Sequence, residues 1–409
     1  MGRRFFRGAH LGLWAFGICF FIWQQFFHLK CLEKTAIPSM PLLHASPKEI
    51  PVFPEESHLE KADMGDRIYS LKEPIALFPN LVRAFPRLDR DFPCFPAERN
   101  WDNLRVQQSP THRGFLYVKA RKAGSSTIAG VAIRIARAMA QQRNLSTPVC
   151  HVRFNHPMAH KLDYSKRDKK HSFLFSILRE PTSRFVSEFF HFGLSRNFVQ
   201  PTDDNIKAYM WETKPSINNY YLRWLSVNKP FNYKSDNRDI SSFVESIINE
   251  YDFLGISERL DESLVALQMV LNLTTSDILY LSAKKRGGWD DGVYRQQCYY
   301  IPHSFISSTM KHYFQHSEEW YNFTVGDNLL YRAVNASLDR TIESLGLKEF
   351  NANLETYRRA LKKADILCRQ NVTFPCSSGG KVNVENDCLV WDSACGMDCL
   401  DRVAKHPSL

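Results

Sequence analysis

The chain lacks several marks that would fix its chemistry outright. It has no internal repeat, which sets aside solenoids and propellers. No Gly-x4-Gly-Lys-Ser/Thr run occurs, so a magnesium-dependent kinase or ATPase of the Walker type is poorly supported. No paired CxxC motifs occur, which weakens a zinc reading of the cysteines. His156 and His160 have the spacing of a zinc helix but lack the glutamate of HExxH. An Asp-x-Asp, the usual mark of a metal-dependent sugar-nucleotide transferase, occurs at Asp89-Arg90-Asp91. It lies in a proline-rich region and fits by letters only.

What is present bounds the answer further. Apolar residues make up 44% of the 409, enough for a sizeable core and too many for a disordered chain. The formal net charge of +10 suits an anionic ligand, a nucleic acid or an acidic surface. Because the basic residues are spread along the chain, charge alone does not choose among these.

The N-terminus is more decisive. Arg3, Arg4 and Arg7 precede an apolar run from about Leu11 to Phe27, interrupted by Gln24 and Gln25. A span of roughly 20 residues crosses a bilayer, so the run just suffices. The positive flank keeps the N-terminus cytoplasmic. A cleaved signal peptide is the alternative, with "KTA" at 34–36 as the nearest cleavage site. An uncleaved signal-anchor is favoured, which places the rest in the secretory lumen and sets nucleic acid aside. Nine of the ten cysteines lie beyond the run, and Cys368, Cys376, Cys388, Cys395 and Cys399 crowd near the C-terminus. In an oxidising lumen that reads as a disulfide-stapled tail. Sequons at Asn144, Asn272, Asn322, Asn335 and Asn371 point to the same compartment.

Residues 30–110 are rich in proline and weakly periodic, as a stem would be. Their later part, "FPNLVRAFPRLDRDFPCFP", is apolar enough to pack onto the domain that follows. The expected organisation is a cytoplasmic tail (1–10), an anchor (11–29), the stem, a catalytic domain (111–350) and a helix with the Cys-rich tail (351–409).

From about Gly114, strand-like and helical patterns alternate. "FLYV" (115–118), "FLFSIL" (173–178), "YDFLGI" (251–256) and "DILYLS" (277–282) read as strands. Ile128, Val131, Ala132, Ile135 and Met139 recur at helical spacing, with Arg134 and Arg137 off that face. Leu260, Leu264, Leu267 and Leu271 form another stripe. The pattern predicts an α/β fold with a mainly parallel sheet, whose ligands sit at the carboxyl ends of the strands.

Two loops fall at such ends. In "KARKAGSST", Gly124 lets the backbone approach a ligand. Ser125, Ser126 and Thr127 offer hydroxyls and cap a helix starting near Ile128, and Lys122 reaches over the same anion. An ordinary capped helix with a solvated basic turn would look the same. In "LREPTSRFVSEFF", Arg179 ends a strand, Pro181 turns the chain, and Arg184 and Ser187 follow. Such a loop can grip a second phosphate by charge-assisted bonds. An Arg–Glu pair with Glu180 or Glu188 is the plainer alternative.

Together, "KAGSST" (122–127) and "LREPTSRFVSEFF" (178–190) resemble the Golgi membrane-bound carbohydrate sulfotransferases. The likeness is strongest to the galactose 3-O-sulfotransferases and more distant to the heparan sulfate 2-O-sulfotransferases. "GISERLDESLVAL" (255–267) and "DNLLYRAV" (327–334) are also similar, and the resemblance covers roughly 112–345. It implies a three-layer, P-loop-NTPase-like fold and the donor 3′-phosphoadenosine-5′-phosphosulfate. Lys122, Gly124, Ser125, Ser126 and Thr127 would cradle the 5′-phosphosulfate, and Arg179 and Ser187 the 3′-phosphate. Many relatives have Thr where this chain has Ala123. No metal is implied.

Sulfuryl transfer needs a base for the acceptor hydroxyl. The resemblance places a catalytic histidine after the second strand. "FNH" makes His156 the first candidate and His151 the next, and Lys122 is the electrostatic catalyst. Arg153 and Lys161 are candidates for an anionic sugar. Lys284, Lys285 and Arg286 in "SAKKRGGWDDG" could close over the nucleotide, meet an acidic acceptor or form a solvated turn. Trp289, Tyr294, Tyr299 and Tyr300 are sugar-stacking candidates, with core packing the default. The expected partner is a glycan acceptor, and a homodimer stays open. A type II Golgi glycosyltransferase and an inactive glycan-binding protein on the same scaffold are the rivals.

Overall fold

The computed structural model describes residues 79–88, 113–142, 152–155, 158–228, 231, 240–291 and 297–404, all within the compact unit that begins at Asp63. The cytoplasmic tail, the anchor and most of the stem lie outside the described residues. Among the described residues, no helix is long and apolar enough to cross a membrane.

The elements that frame the site are, in chain order, β1 (Gly114–Val118), α1 (Ser125–Gln142), β2 (Val152–Asn155), β3 (Ser172–Leu178), α2 (Pro181–Glu188), α3 (Ile240–Glu250), β4 (Phe253–Ile256) and α4 (Leu260–Val270), with shorter helices between α2 and α3. A hairpin of β5 (Gly288–Asp291) and β6 (Cys298–Ile301) follows, then the long helices α5 (Glu318–Leu345) and α6 (Leu347–Arg369). A short hairpin, β7 (Cys388–Val390) and β8 (Ser393–Cys395), leads into α7 (Met397–Ala404).

Strands β1 to β4 form one parallel sheet in the order β2-β1-β3-β4. After β1 the chain moves to one side of the sheet, and after β3 to the other. Right-handed crossovers put the two sets of connecting helices on opposite faces. Burial agrees, because every residue of β1 and β3 is buried. A strand covered on both faces is apolar almost throughout, which is why "FLYV" and "FLFSIL" are near-continuous runs, with the buried Ser176 hydroxyl donating to the Val118 carbonyl at 2.8 Å. Phe115 and Phe175 stack with centroids 4.5 Å apart, and Tyr117 and Phe175 at 4.9 Å.

Three of the four expected strands are β1, β3 and β4. The fourth, "DILYLS", is a correction. Residues Thr275–Ile278 form a single 3₁₀ turn and the rest runs extended outside any ladder. Leu279 and Leu281 are buried against helices, so the run is apolar for packing rather than for pairing. The fourth parallel strand is β2, only four residues long, inside a stretch whose histidines and basic residues mask the strand pattern.

The end of the stem belongs to this core. Phe85 is fully buried, 5.5 Å from the Phe253 ring, and its N–H donates to Thr341 Oγ1 at 2.9 Å. The C-terminal tail also packs inward. Arg134, expected off the buried face of α1, is itself buried: it pairs with Asp401 of α7 at 2.9 Å and donates to the Ser276 carbonyl at 2.6 Å. Three disulfides, Cys298–Cys376, Cys368–Cys399 and Cys388–Cys395, tie this tail to β6, to α6 and to itself. They fit a protein of the secretory pathway.

Phe85→Ala should destabilise the protein by about 3–5 kcal/mol, read as a lowered denaturation midpoint. A change under about 1 kcal/mol would mean that residues 79–88 are not part of the core.

Candidate functional site

The order β2-β1-β3-β4 reverses direction between β1 and β3, and ligands bind at such a switch point, beyond the carboxyl ends of the strands. The two loops that leave those ends are the anion loop and the Arg179 loop. They face one cavity of about 770 Å³. Lys122, Gly124, Ser125, Ser126 and Thr127 line it together with Arg179 and Ser187. Every nucleotide-contact residue named from the sequence is therefore in one place.

The anion loop is built for close backbone approach. Lys122 and Gly124 both take positive φ, 62° and 72°. At Gly124 this is free, but a lysine in that region is strained, a feature that concentrates at ligand sites. The first backbone bond of α1 is Ile128 N–H to the Gly124 carbonyl at 3.1 Å. That leaves the N–H groups of Ser125, Ser126 and Thr127 outside the helical ladder, as at any helix start. Ala123 is fully buried in the hydrophobic core and does not line the cavity.

The second loop is held from beneath. Glu180 caps α2, its carboxylate accepting from Thr182 N at 2.9 Å and Ser183 N at 2.6 Å. Pro181 at the first turn needs no donor there. The Tyr221 hydroxyl bonds to the Arg179 backbone at 2.8 Å. The Arg179 guanidinium reaches the Lys122 carbonyl at 3.3 Å and lies 3.7 Å from Glu258 Oε1. Arg184 points the other way. It is buried in a pair with Glu188 and stacks over Tyr220 at 3.9 Å, so it supports α2 and is not in the cavity.

The residues that follow α2 break its period. Phe189–Leu194 form a π-helical segment. Phe185 and Phe189 stay in a core cluster, whereas His191 and Phe192 line the cavity. Such wide turns recur at functional sites. His191 lies 3.6 Å from Asp290 Oδ2, and its Nδ1 is buried without a partner. Burial, then the nearby Lys122 and Lys284, push its imidazole far below the ordinary histidine range, so it stays neutral.

The floor of the cavity is an ion cluster. Lys284 lies between Asp290, at 2.7 Å, and Asp392. Asp290 also pairs with Arg196 at 3.2 Å. Burial would lower the Lys284 pKa, but the two carboxylates raise it above the usual lysine value. Lys122 has no such support. Burial, then repulsion from Lys284, brings its pKa down to about 7, with Asp290 opposing only in part.

Several expectations resolve differently. His156 and His151, the proposed bases, lie outside the described residues, as do Asp89, Arg90, Asp91, Tyr294 and Asn144. Asn155 ends β2 beside Val118 of β1, and His156 is the next residue in sequence. His160 sits in a short 3₁₀ helix and does not line the cavity. Trp289 packs into the tail, donating to the Ser378 carbonyl at 3.0 Å, and neither it nor Tyr299 and Tyr300 line the cavity. Lys284, Lys285 and Arg286 do line it. Asn272, Asn322 and Asn371 are exposed, while Asn335 is half-buried and accepts from Arg259 at 2.9 Å. Among the described residues, no cluster of His, Cys, Asp or Glu could hold a metal.

Sequence reasoning missed Lys119, His191, Arg196, Asp290, Trp391 and Asp392. "WDD" at 289–291 and "VWDS" at 390–393 were the available signals: acidic residues in apolar surroundings, each implying a buried cationic partner.

Residues 105–288 match the model of the sulfotransferase family. The match supports a sulfotransferase enzyme. The matched span holds both cavity loops and ends within the basic loop, ahead of the C-terminal tail. No curated protein and no solved structure matches the chain significantly.

The lowered pKa of Lys122 has a sign that can be checked. Between about 7 and the free value of 10.5, the lysine is neutral in the fold and charged in the unfolded chain. The unfolded state then binds more protons, so stability from this group rises with pH through that window. Below it, the folded state carries the full cost of a desolvated cation. Lys122→Met should therefore be more stable than wild type at pH 7 and below, with the difference shrinking towards pH 10. Urea denaturation at a series of pH values measures this; a difference that does not vary with pH would contradict it.

Proposed function

We propose that this protein transfers a sulfuryl group from 3′-phosphoadenosine-5′-phosphosulfate to a glycan hydroxyl in the Golgi lumen. One observation carries it: two loops from adjacent parallel strands, each with its own cation and hydroxyls, share one cavity sized for a nucleotide. The sulfotransferase-family match over the same loops supports it.

The donor is a substrate with anionic groups at both ends. Lys122, the loop N–H groups and Ser125 to Thr127 suit the 5′-phosphosulfate, and Arg179 with Ser187 suits the 3′-phosphate. Phe192 and Trp391 offer apolar wall for the base and sugar. A dianion entering beside Lys122 reverses the balance that keeps this lysine near half-protonated, so binding draws a proton onto it. The charged lysine then stabilises charge on the sulfuryl group and on the departing bridging oxygen.

In the transfer, the acceptor oxygen forms a bond to sulfur and the bond from sulfur to the 5′-phosphate oxygen breaks. The acceptor proton passes to a base, for which His156 is the first candidate and His151 the second. Adenosine 3′,5′-bisphosphate leaves. The apolar run at 11–29 would anchor the chain with the cavity on the lumenal side, where the disulfides form.

Labelled sulfate supplied on the nucleotide donor, with a panel of glycans as acceptors, tests the proposal on the purified full-length chain. Lys122→Ala should lower kcat/KM by about a hundredfold or more, and His156→Ala should lower kcat with little change in donor affinity. No transfer to any glycan together with no binding of the donor product would sink the proposal, and manganese-dependent transfer from a sugar nucleotide would replace it with the glycosyltransferase.

A further inference from the structure

The C-terminal tail lies beyond the matched sulfotransferase span, yet it reaches the floor of the cavity. Its hairpin is closed by Cys388–Cys395, and the helix after it is tied to α6 by Cys368–Cys399. The hairpin lies against α1, the helix that begins at the anion loop. Gly130 permits the approach, since a Cβ there would stand 2.7 Å from the Ala394 backbone nitrogen. Trp391 takes positive φ, 49°, and makes the two-residue turn between β7 and β8 with the residue that follows it.

That residue is Asp392, 8% exposed. One carboxylate oxygen accepts from Ser126 Oγ at 3.2 Å and pairs with Lys284 Nζ. The other accepts from Ser393 Oγ at 3.2 Å. Burial would raise its pKa, but Lys284 and Lys119 hold it well below the usual carboxylate range, so it is ionised at any physiological pH. One buried anion thus joins a hydroxyl of the anion loop to the cation of the basic loop, across 266 residues of sequence to Ser126.

We propose that Asp392 is a positioning residue of the donor site: the disulfide-closed hairpin delivers a carboxylate that fixes Ser126 and Lys284 relative to each other. The tail is then part of the binding machinery and not an appendage. This inference rests on the sulfotransferase reading, because it assigns a role toward that donor. Without Asp392, Lys284 keeps only Asp290 as a counter-charge and Ser126 loses its anchor. Donor affinity then falls, and the acceptor KM is the control that should not move.

The test is a double-mutant cycle on the full-length chain, with calorimetry of adenosine 3′,5′-bisphosphate binding and separate KM values for donor and acceptor. Asp392→Asn should weaken bisphosphate binding by about tenfold, equivalent to ~1.4 kcal/mol, and raise donor KM with acceptor KM unchanged. Because Asp392 acts through Lys284, adding Lys284→Gln to Asp392→Asn should cost less than the sum of the two single changes. Asp392→Glu should restore part of the affinity. Should Asp392→Asn fail to fold, Ser126→Ala in place of it removes the link together with that hydroxyl's own donor contact, so the readout is its coupling to Lys284→Gln, expected in the same sense. Wild type binding the bisphosphate with Asp392→Asn binding equally tightly, or with strictly additive effects, overturns this inference alone. Wild type that does not bind the bisphosphate overturns the sulfotransferase reading, and this inference with it.

Discussion

Eight cationic side chains, among them Lys119, Lys122, Arg179, Arg196 and Lys284, line a single cavity at the carboxyl edge of a parallel sheet. Like charges brought together and partly desolvated repel, and each costs more the less water reaches it. The fold tolerates this because two buried carboxylates, Asp290 and Asp392, offset part of the charge, and because rigid elements hold the loops in place. What remains uncompensated is concentrated at Lys122. A cavity in that state is complementary to a polyanion, and the ligand completes an ion cluster that the protein leaves short of negative charge.

The opposite edge of the sheet shows the contrast. Arg167 is equally buried there, but its guanidinium donates to Asp252 Oδ2 at 2.9 Å, Ser172 Oγ at 3.0 Å and the Glu250 carbonyl at 2.7 Å. Its partners are all internal, as expected of a buried cation whose role is structural. Asp252 also accepts from Leu174 N at 2.8 Å, which joins the entry to β4 to the start of β3. One edge of the sheet is closed by internally paired charges, and the other is left open for a ligand.

Much of the site was legible in the sequence because its two loops are local. Each is a contiguous stretch whose glycine, hydroxyls and cations act together near a strand end, and the apolar runs of β1 and β3 announce the strands themselves. Residues brought in from afar were not legible. Asp392 depends on a hairpin whose position follows from disulfides, and pairing cannot be deduced from cysteine spacing. His191 and Phe192 enter the cavity because the helix after Arg179 widens to a π turn, which a helical period cannot foresee. The reading of "DILYLS" as a strand failed for a related reason: a short apolar run serves equally for pairing in a sheet or for packing under helices.

The central claim is that one cavity binds both anionic ends of a single nucleotide, the Lys122 loop at one end and the Arg179 loop at the other. Calorimetric titration of adenosine 3′,5′-bisphosphate, 3′-AMP and 5′-AMP tests it most directly. The bisphosphate should bind at one site per chain and at least about tenfold more tightly than either monophosphate. Arg179→Ala should remove the advantage over 5′-AMP and Lys122→Ala the advantage over 3′-AMP. Equal affinity for all three nucleotides, or no binding, would contradict it.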